Sequence, residues 1–340
     1  MSPTKKRDKT PDFIKKVLAD VKKKQAERKA RVEAPLPDLT PNTCIVAFID
    51  ILGFGREIER ARTKADLEAA YKKVRTVQKE FQNISAVEDP EETRTTHQLY
   101  GKKVLALSDS IVIAIYPTAN AAAMMGVADL LGFSLFEILL GQSRCVAAHG
   151  IFVRGGISHG PFFFENDVLL SPALARAYEL ESEFAQNPVI VVPDETRQLI
   201  TSAPRKGSYS PGADPTPQYF APLGRRKWRG RPLYFLDYMS IMIEEQHRGM
   251  LPEDRAQYIA ANKANDTKRA QAILDRSALK DAEFFLKWHR KRIETAYKSV
   301  PVEKVQKKYR WLMKYHNRSF PNDRKYLRRQ VIDLSKFGAS

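Results

Sequence analysis

Two aspartates stand at the ends of apolar runs. Asp50 closes the stretch 43–50 (TCIVAFID), which is β-branched, of strand length, and runs out into Gly53 and Gly55. That is the punctuation expected where a strand turns into a helix. Asp109 sits in Ser108-Asp109-Ser110, between the two apolar halves of 103–116 (KVLALSDSIVIAIY), which read as two short strands joined by a tight turn. An unpaired carboxylate is costly to bury in such surroundings. If these strands are neighbours in one sheet, the two acids form a compact site for divalent cations. Phosphoryl chemistry on a triphosphate needs that arrangement, because one cation activates the attacking hydroxyl and two offset charge on the phosphates. Taken singly, each acid also has a plain structural reading, Asp50 as a helix N-cap and Asp109 as a turn residue.

The elements that must position these acids follow from hydrophobic periodicity. Residues 58–84 predict a helix, with Leu67, Tyr71, Val74, Val77 and Phe81 recurring at spacings of three and four. Residues 118–141 predict an Ala/Leu-rich helix. A hairpin of 148–157 and 161–170 is expected to turn near Ser158–Gly160, followed by a helix over Pro172–Ala185 and a buried strand at Val189–Val192. The order β, α, ββ, α, ββ, α, β predicts an α+β domain of ferredoxin-like kind with extensions, its helices packed on a mostly antiparallel sheet. Residues 202–230, with the cluster GRRKWRGR at 224–231, are expected to form an exposed loop, and Pro232–Met239 a closing strand. Beyond about 245 the chain reads as charged helix anchored by Phe284, Leu286, Trp288, Tyr309, Trp311, Leu312 and Tyr315. Three regions result: a basic arm and Pro-rich linker at 1–41, a main domain at 42–240 and a helical C-terminal extension at 241–340.

Composition excludes several classes. With 340 residues and 43% apolar side chains the chain can fill a sizeable core. Its net charge of +17 is unevenly placed: residues 1–33 carry 12 basic against 5 acidic side chains, 280–340 carry 17 against 6, and the middle is close to neutral. Basic ends on a neutral body argue against a continuous nucleic-acid track and for solvated helical faces. The apolar stretch 121–140 is interrupted by Gly126, Asp129, Gly132, Ser134 and Glu137, which predicts a packed helix rather than a bilayer span. The lysine-rich N-terminus lacks an apolar segment of signal-peptide type, so a cytoplasmic location is expected. Cys44 and Cys145, without paired spacing, are expected to be buried thiols.

FIDILGFG (48–55), LSDS (107–110) and VRGGISHGP (153–161) together resemble the class III nucleotidyl cyclase catalytic domain, over roughly residues 42–200. Arg154, Gly156, Ile157 and Gly160 match a later strand of that family, and Leu180-Glu181 match the end of the helix that follows. The resemblance implies that Asp50 and Asp109, with the carbonyl of Ile51, hold two divalent cations, Mn²⁺ or Mg²⁺. It further implies that the amides of Leu52, Gly53 and Phe54 receive the triphosphate, as helix-opening N–H groups favour anions. Phe48 is expected to pack against the ribose or to fill the core, and Arg154 to pair with phosphate or to form a structural ion pair. His159 reads as a surface residue. A site of this family is completed across a head-to-tail pair, which implies a homodimer.

The departures from that family are specific. Ser108 stands where its second acid is preceded by Gly. Leu105 and Val168 replace the two base-reading positions, and Ala175 and Glu179 replace the Asn and Arg that act on the transition state. The chain resembles more particularly the bacterial pyrimidine cyclases of the Pycsar anti-phage system, on SPALARAYELE (171–181) and the tail segment KKYRWLMKYHN (307–317). This implies UTP as substrate and cyclic UMP as product, with CTP and cyclic CMP as the alternative, and a separate effector that reads the product. Arg176 and Tyr178 are the candidates to replace the missing pair. Lys103, which shares a strand face with Asp109 by the two-residue period, is the candidate to reach the base or a phosphate, and Phe54 to stack on the base. A purine cyclase, a diguanylate cyclase and a nucleic-acid-binding module with Trp228 as a stacking residue are the competing readings; direct nucleic-acid binding is not the expected one.

Overall fold

Strand β1 (Thr43–Ile51) is the spine of the sheet. The computed structural model describes residues 43–82, 100–118, 127–165, 168–202, 223–228, 231–243, 252–320 and 325–338. The arm and linker read at 1–41 lie outside the described residues, as do positions 203–222. On one side β1 pairs antiparallel with β3 (Ser110–Pro117), which pairs in turn with β2 (Tyr100–Leu107); on the other side it pairs antiparallel with β4 (Val153–Pro161). Helices α1 (Phe54–Arg60) and α2 (Lys64–Gln82) link β1 to β2, and α3 (Val127–His149) lies between β3 and β4. Each helix returns the chain to a strand parallel to the one it left, with an antiparallel strand between them, which is the ferredoxin-like arrangement expected. Beyond β4 the sheet continues through β7 (Ile190–Val192), β9 (Arg231–Leu236) and β8 (Leu223–Trp228). Among the described residues it has seven strands in the order β2-β3-β1-β4-β7-β9-β8, with the β4–β7 pairing alone parallel. A separate two-stranded hairpin joins β5 (Phe163–Glu165) to β6 (Val168–Leu170).

The near-continuous apolar character of β1 has a physical reason: both of its faces are covered. Ile45, Ala47, Ile49 and Ile51 enter the main core with Val77 and Phe81 of α2 and Leu135 of α3. Cys44, Val46 and Phe48 pack on the other face with Val112 and with Ala173 of α4 (Pro172–Glu179). Alternation then brings Asp50 out on this second face. Both cysteines are buried thiols as expected, and burial raises their pKa values, that of Cys44 to about 12.

Three expectations are corrected. No hairpin turns at Ser158–Gly160; β4 runs straight through the glycines because the whole of β1 offers it a partner, from Thr43 opposite Pro161 to Ile51 opposite Val153. Its glycines serve close packing: a Cβ on Gly155 would lie 2.5 Å from the Phe48 carbonyl, and one on Gly156 would lie 2.4 Å from the Ala177 carbonyl. Of the cluster at 224–231, the part up to Trp228 is no loop, since Leu223–Trp228 pairs along its length with β9, and Arg226 turns inward to donate to the Phe184 carbonyl at 2.7 Å; positions 229 and 230 lie outside the described residues. Phe284 is exposed, and Phe285 is the buried anchor in its place; Leu67 and Tyr71 of α2 are likewise exposed while Ala70 is buried.

The C-terminal helices α7 (Pro252–Lys263), α8 (Thr267–Ser299) and α9 (Glu303–Arg318) follow the short α6 (Tyr238–Ile243). Leu286, Ile293, Leu312 and Met313 belong to the same core as the sheet, so no core boundary falls at 240. By length and composition one described helix, Leu130–His149, could cross a membrane, and 78% of it is buried inside the fold. A chain of buried hydrogen bonds ties the extension down. His316 Nε2 meets the Gln330 carbonyl at 2.9 Å and therefore carries a proton, so its Nδ1 accepts from His289 Nδ1 at 3.0 Å, and His289 Nε2 accepts from the Tyr238 hydroxyl at 2.9 Å. Both imidazoles must be neutral, and burial lowers both pKa values, that of His316 to about 4.

Because the unfolded imidazole titrates near 6.5, the unfolded chain takes up protons that the native state refuses as pH falls from 6.5 to 4. Full stability is therefore present above pH 6.5 and is lost across that window, by about 3 kcal/mol for His316 alone, with His289 adding in the same direction. Glutamine at 316 can accept from His289 and donate to Gln330 without titrating. Thermal unfolding of His316→Gln should show a shallower loss between pH 6.5 and 4 than the parent; identical slopes would contradict the assignment.

Candidate functional site

The register brings the acids together. Asp50 lies opposite Ser110 on one side and Arg154 on the other, and the two-residue turn Ser108–Asp109 lies beside the end of β1, its Asp109 carbonyl accepting from the Ile51 amide at 3.4 Å. Ser108 takes φ 57, the left-handed conformation that two-residue hairpin turns demand and that Gly adopts without strain. The serine that departs from the family pattern thus holds a glycine-like backbone.

Arg154 is the hub of the site. Its Nε donates to Asp50 Oδ2 at 2.7 Å, Nη2 lies 2.7 Å from Glu181 Oε1, and Nη1 donates to the Ala185 carbonyl at 3.3 Å. Glu181 sits in the single π-helical turn Leu180–Phe184 that extends α4, a form of helix often found at functional sites. Burial raises the pKa of Asp50, opposed by Arg154 and assisted by the negative charge of Asp109; burial raises that of Glu181 in the same way, again opposed by Arg154. From α9, Lys308 brings a second cation whose charge acts on Asp50 and Glu181, and burial pulls its pKa down to about 8. Three carboxylates thus face two cations. Neither Glu181 nor Lys308 was among the candidate ligands read from the sequence, because nothing local to residues 181 or 308 signals a partner at position 50.

The other candidates divide. Phe48 and Tyr178 meet edge to face with ring centroids 5.2 Å apart, on the face that carries Asp50, and Tyr178 remains 55% exposed. Arg176 does not join them: two residues away on α4, it turns to Glu179 at 2.7 Å and to Glu195 of α5 (Asp194–Ser202) at 3.5 Å. The Leu52 amide is consumed by the Phe152 carbonyl at 3.0 Å, which leaves Gly53 and Phe54 of the three amides expected to receive phosphates. Phe54 is 2% exposed in the main core with the Lys73 ammonium over its ring, which does not fit a surface on which a base stacks. Lys103 pairs with Ala114, four positions along β2 from the end that faces Ser110, or about 13 Å. Its ammonium sits 3.9 Å from the ring centroid of Phe164. His159, expected at the surface, is half-buried within β4, and burial lowers its pKa.

A groove of about 690 Å³ opens beside the turn, lined by Leu105, Ser108, Tyr71, Phe54 and Phe164 among others. Among the described residues no group of three or more His, Cys, Asp and Glu side chains is placed to hold a metal. The pair Asp50 and Asp109 nevertheless fits a hard divalent cation: the donors are all oxygen, Arg154 takes only Oδ2 of Asp50, and such cations complete their shell with water and substrate phosphate.

No family model and no curated protein matches this chain. Among the solved structures that resemble it in part are the following two. An adenylate/guanylate cyclase/hydrolase from Silicibacter pomeroyi is 17% identical, with a TM-score of 0.30, over 57% of this chain and 96% of that one. A bacterial light-regulated adenylyl cyclase is 15% identical, with a TM-score of 0.31, over 68% of this chain and 66% of that one.

Proposed function

We propose that the protein is a nucleotidyl cyclase that converts a pyrimidine nucleoside triphosphate, UTP in the first place and CTP as the near alternative, into its 3′,5′-cyclic monophosphate. The observation that carries this reading is the placement of Asp50 and Asp109 at one end of adjacent central strands, with their charges acting on one another. Two divalent cations, Mn²⁺ or Mg²⁺, would be held by these carboxylates and by the Ile51 carbonyl. When bound they supply activation of the 3′-hydroxyl and neutralisation of phosphate charge. The 3′-oxygen forms a bond to the α-phosphorus as the bond from that phosphorus to the bridging oxygen breaks, the hydroxyl proton passes to solvent water, and pyrophosphate departs with the bridging oxygen.

The chain's own residues do the positioning. Arg154, braced by Glu181 and the Ala185 carbonyl, fixes the orientation of Asp50. The amides of Gly53 and Phe54 are directed to the phosphates. Tyr178, exposed beside Phe48, presents a hydroxyl where the Asn and Arg of purine cyclases are absent, and Arg176, being turned to Glu195, is the weaker candidate. The groove at Leu105 gives room for a base but an aliphatic edge, which leaves a purine's polar atoms without partners. Uracil, smaller and presenting two carbonyls, loses less. A homodimer would complete the site, and the product would serve as a second messenger in anti-phage defence, read by a separate effector.

Competition among equimolar UTP, CTP, ATP and GTP with Mn²⁺ tests the reading. Cyclic UMP should dominate. Dominant cyclic CMP would overturn the choice between pyrimidines, and dominant cyclic AMP or cyclic GMP would overturn the pyrimidine reading itself.

A further inference from the structure

Behind the end of β1, on the side of the main core, a cavity of about 300 Å³ opens between α1 and the turn that joins α8 to α9. Leu52, Phe152 and Tyr309, all members of that core, lie along it, whereas Asp50 emerges on the opposite face of the sheet with Phe48 and Val112. The cavity is therefore separate from the acids of the candidate site.

Its wall is cationic. Arg56, Arg60 and Lys73 line it against one carboxylate, Glu57, which is already paired with Lys73. Arg56 is half-buried, with its Nη1 buried and without a hydrogen-bond partner among the described residues, and Arg60 is exposed. A buried charged N–H without an acceptor is costly, and Arg60, exposed at the rim of the cavity, places a second guanidinium within reach of the same anion. A water molecule would satisfy that N–H but brings no charge to match the guanidinium groups. A guanidinium fork matches phosphate oxygens in geometry as well as in charge. The volume lies at the lower bound of small-ligand sites, about 300–1,000 Å³, which suits a compact anion better than a whole nucleotide.

We propose that this cavity binds a phosphate-class anion of about the size of pyrophosphate, gripped by Arg56 and Arg60 with Lys73 beside them. Val300 and Val305, on either side of the α8–α9 turn, close the opposite wall. Occupancy therefore ties the C-terminal extension to the β1–α1 turn, and the site stands whether or not the protein is a cyclase. Two sources share this chemistry: free pyrophosphate, and the phosphate tail of a nucleotide passing Gly53.

Isothermal titration of inorganic pyrophosphate into the full chain with EDTA tests it, because without divalent cations the carboxylates of the opposite face repel the anion. One saturable site is expected. Arg56→Gln should weaken it about tenfold or more, and Arg60→Gln about threefold. Arg60 is exposed, so its variant should fold and decides the matter should Arg56→Gln not fold; Lys64→Gln, on the solvent side of α2, serves as the control with unchanged affinity. Absence of saturable binding, or equal affinity in the parent and Arg60→Gln, overturns the proposal. Displacement of pyrophosphate by metal-free UTP assigns the site to a nucleotide tail, and failure to displace it assigns the site to the free anion, both with the site upheld.

Discussion

Exchanging Asp50 or Asp109 for alanine is expected to cut metal-dependent formation of cyclic nucleotide by about 10²–10³-fold, because fixed charge placed against a developing phosphate charge is usually the largest single contribution to such a rate. The fold should survive. Asp109 lies in a turn at the sheet's rim, and loss of Asp50 leaves Arg154 with Glu181 and the Ala185 carbonyl as partners. Circular dichroism matching the parent, together with product formation below a hundredth of the parent rate by mass spectrometry, is the expected pair of results on the scale set by removing one electrostatic group, about 10²–10³-fold. Full activity in either variant would remove that residue from the site.

Alanine at Gly156 is expected to have a comparable effect by a different route. A Cβ there would lie 2.4 Å from the Ala177 carbonyl, 2.5 Å from Leu180 Cβ and 2.9 Å from the Glu181 amide. Two of these contacts are main chain, so no side-chain rotation relieves them. The helix α4 must lift from β4, at a cost of about 1–3 kcal/mol for overpacking. It takes with it Glu181, the brace of Arg154, and Tyr178, which lies on Phe48. Reduced thermal stability accompanied by loss of activity is expected. A variant as stable and as active as the parent would show that α4 does not need this close approach.

The parts of the fold that were legible are those whose signal is local. The run 43–50 is apolar on both faces because both faces are covered, and the turn at Ser108–Asp109 shows as polar residues between two apolar runs. The glycines of β4 carried an ambiguous message. Read as turn residues they predicted a hairpin, yet Gly155 and Gly156 are small because the Phe48 carbonyl and α4 press against them. That pressure comes from elements distant in sequence, so the local pattern could not reveal it. The same holds for β8, where Arg225 and Lys227 are exposed and Arg226 reaches inward, an alternation that charge alone conceals.

Within the site, the two acids are legible because each stands at the end of an apolar run, whereas Arg154 shows only through the resemblance of its strand to the family's. Glu181 and Lys308 are not legible, since their roles depend on where α4 and α9 dock. Arg176 and Tyr178 share one helix, but two residues along a helix turn the chain through about 200°, so only Tyr178 reaches the side of Phe48.

The central claim is that this chain makes a cyclic nucleotide with the help of a cation held by Asp50 and Asp109. Pure protein incubated separately with each of the four nucleoside triphosphates and Mn²⁺, with products identified by mass and by release of pyrophosphate, tests it most directly. A 3′,5′-cyclic monophosphate that appears with Mn²⁺, disappears with EDTA and is absent from the Asp50→Ala protein is the result expected; no cyclic product from any of the four, under conditions where the protein is folded, would contradict it.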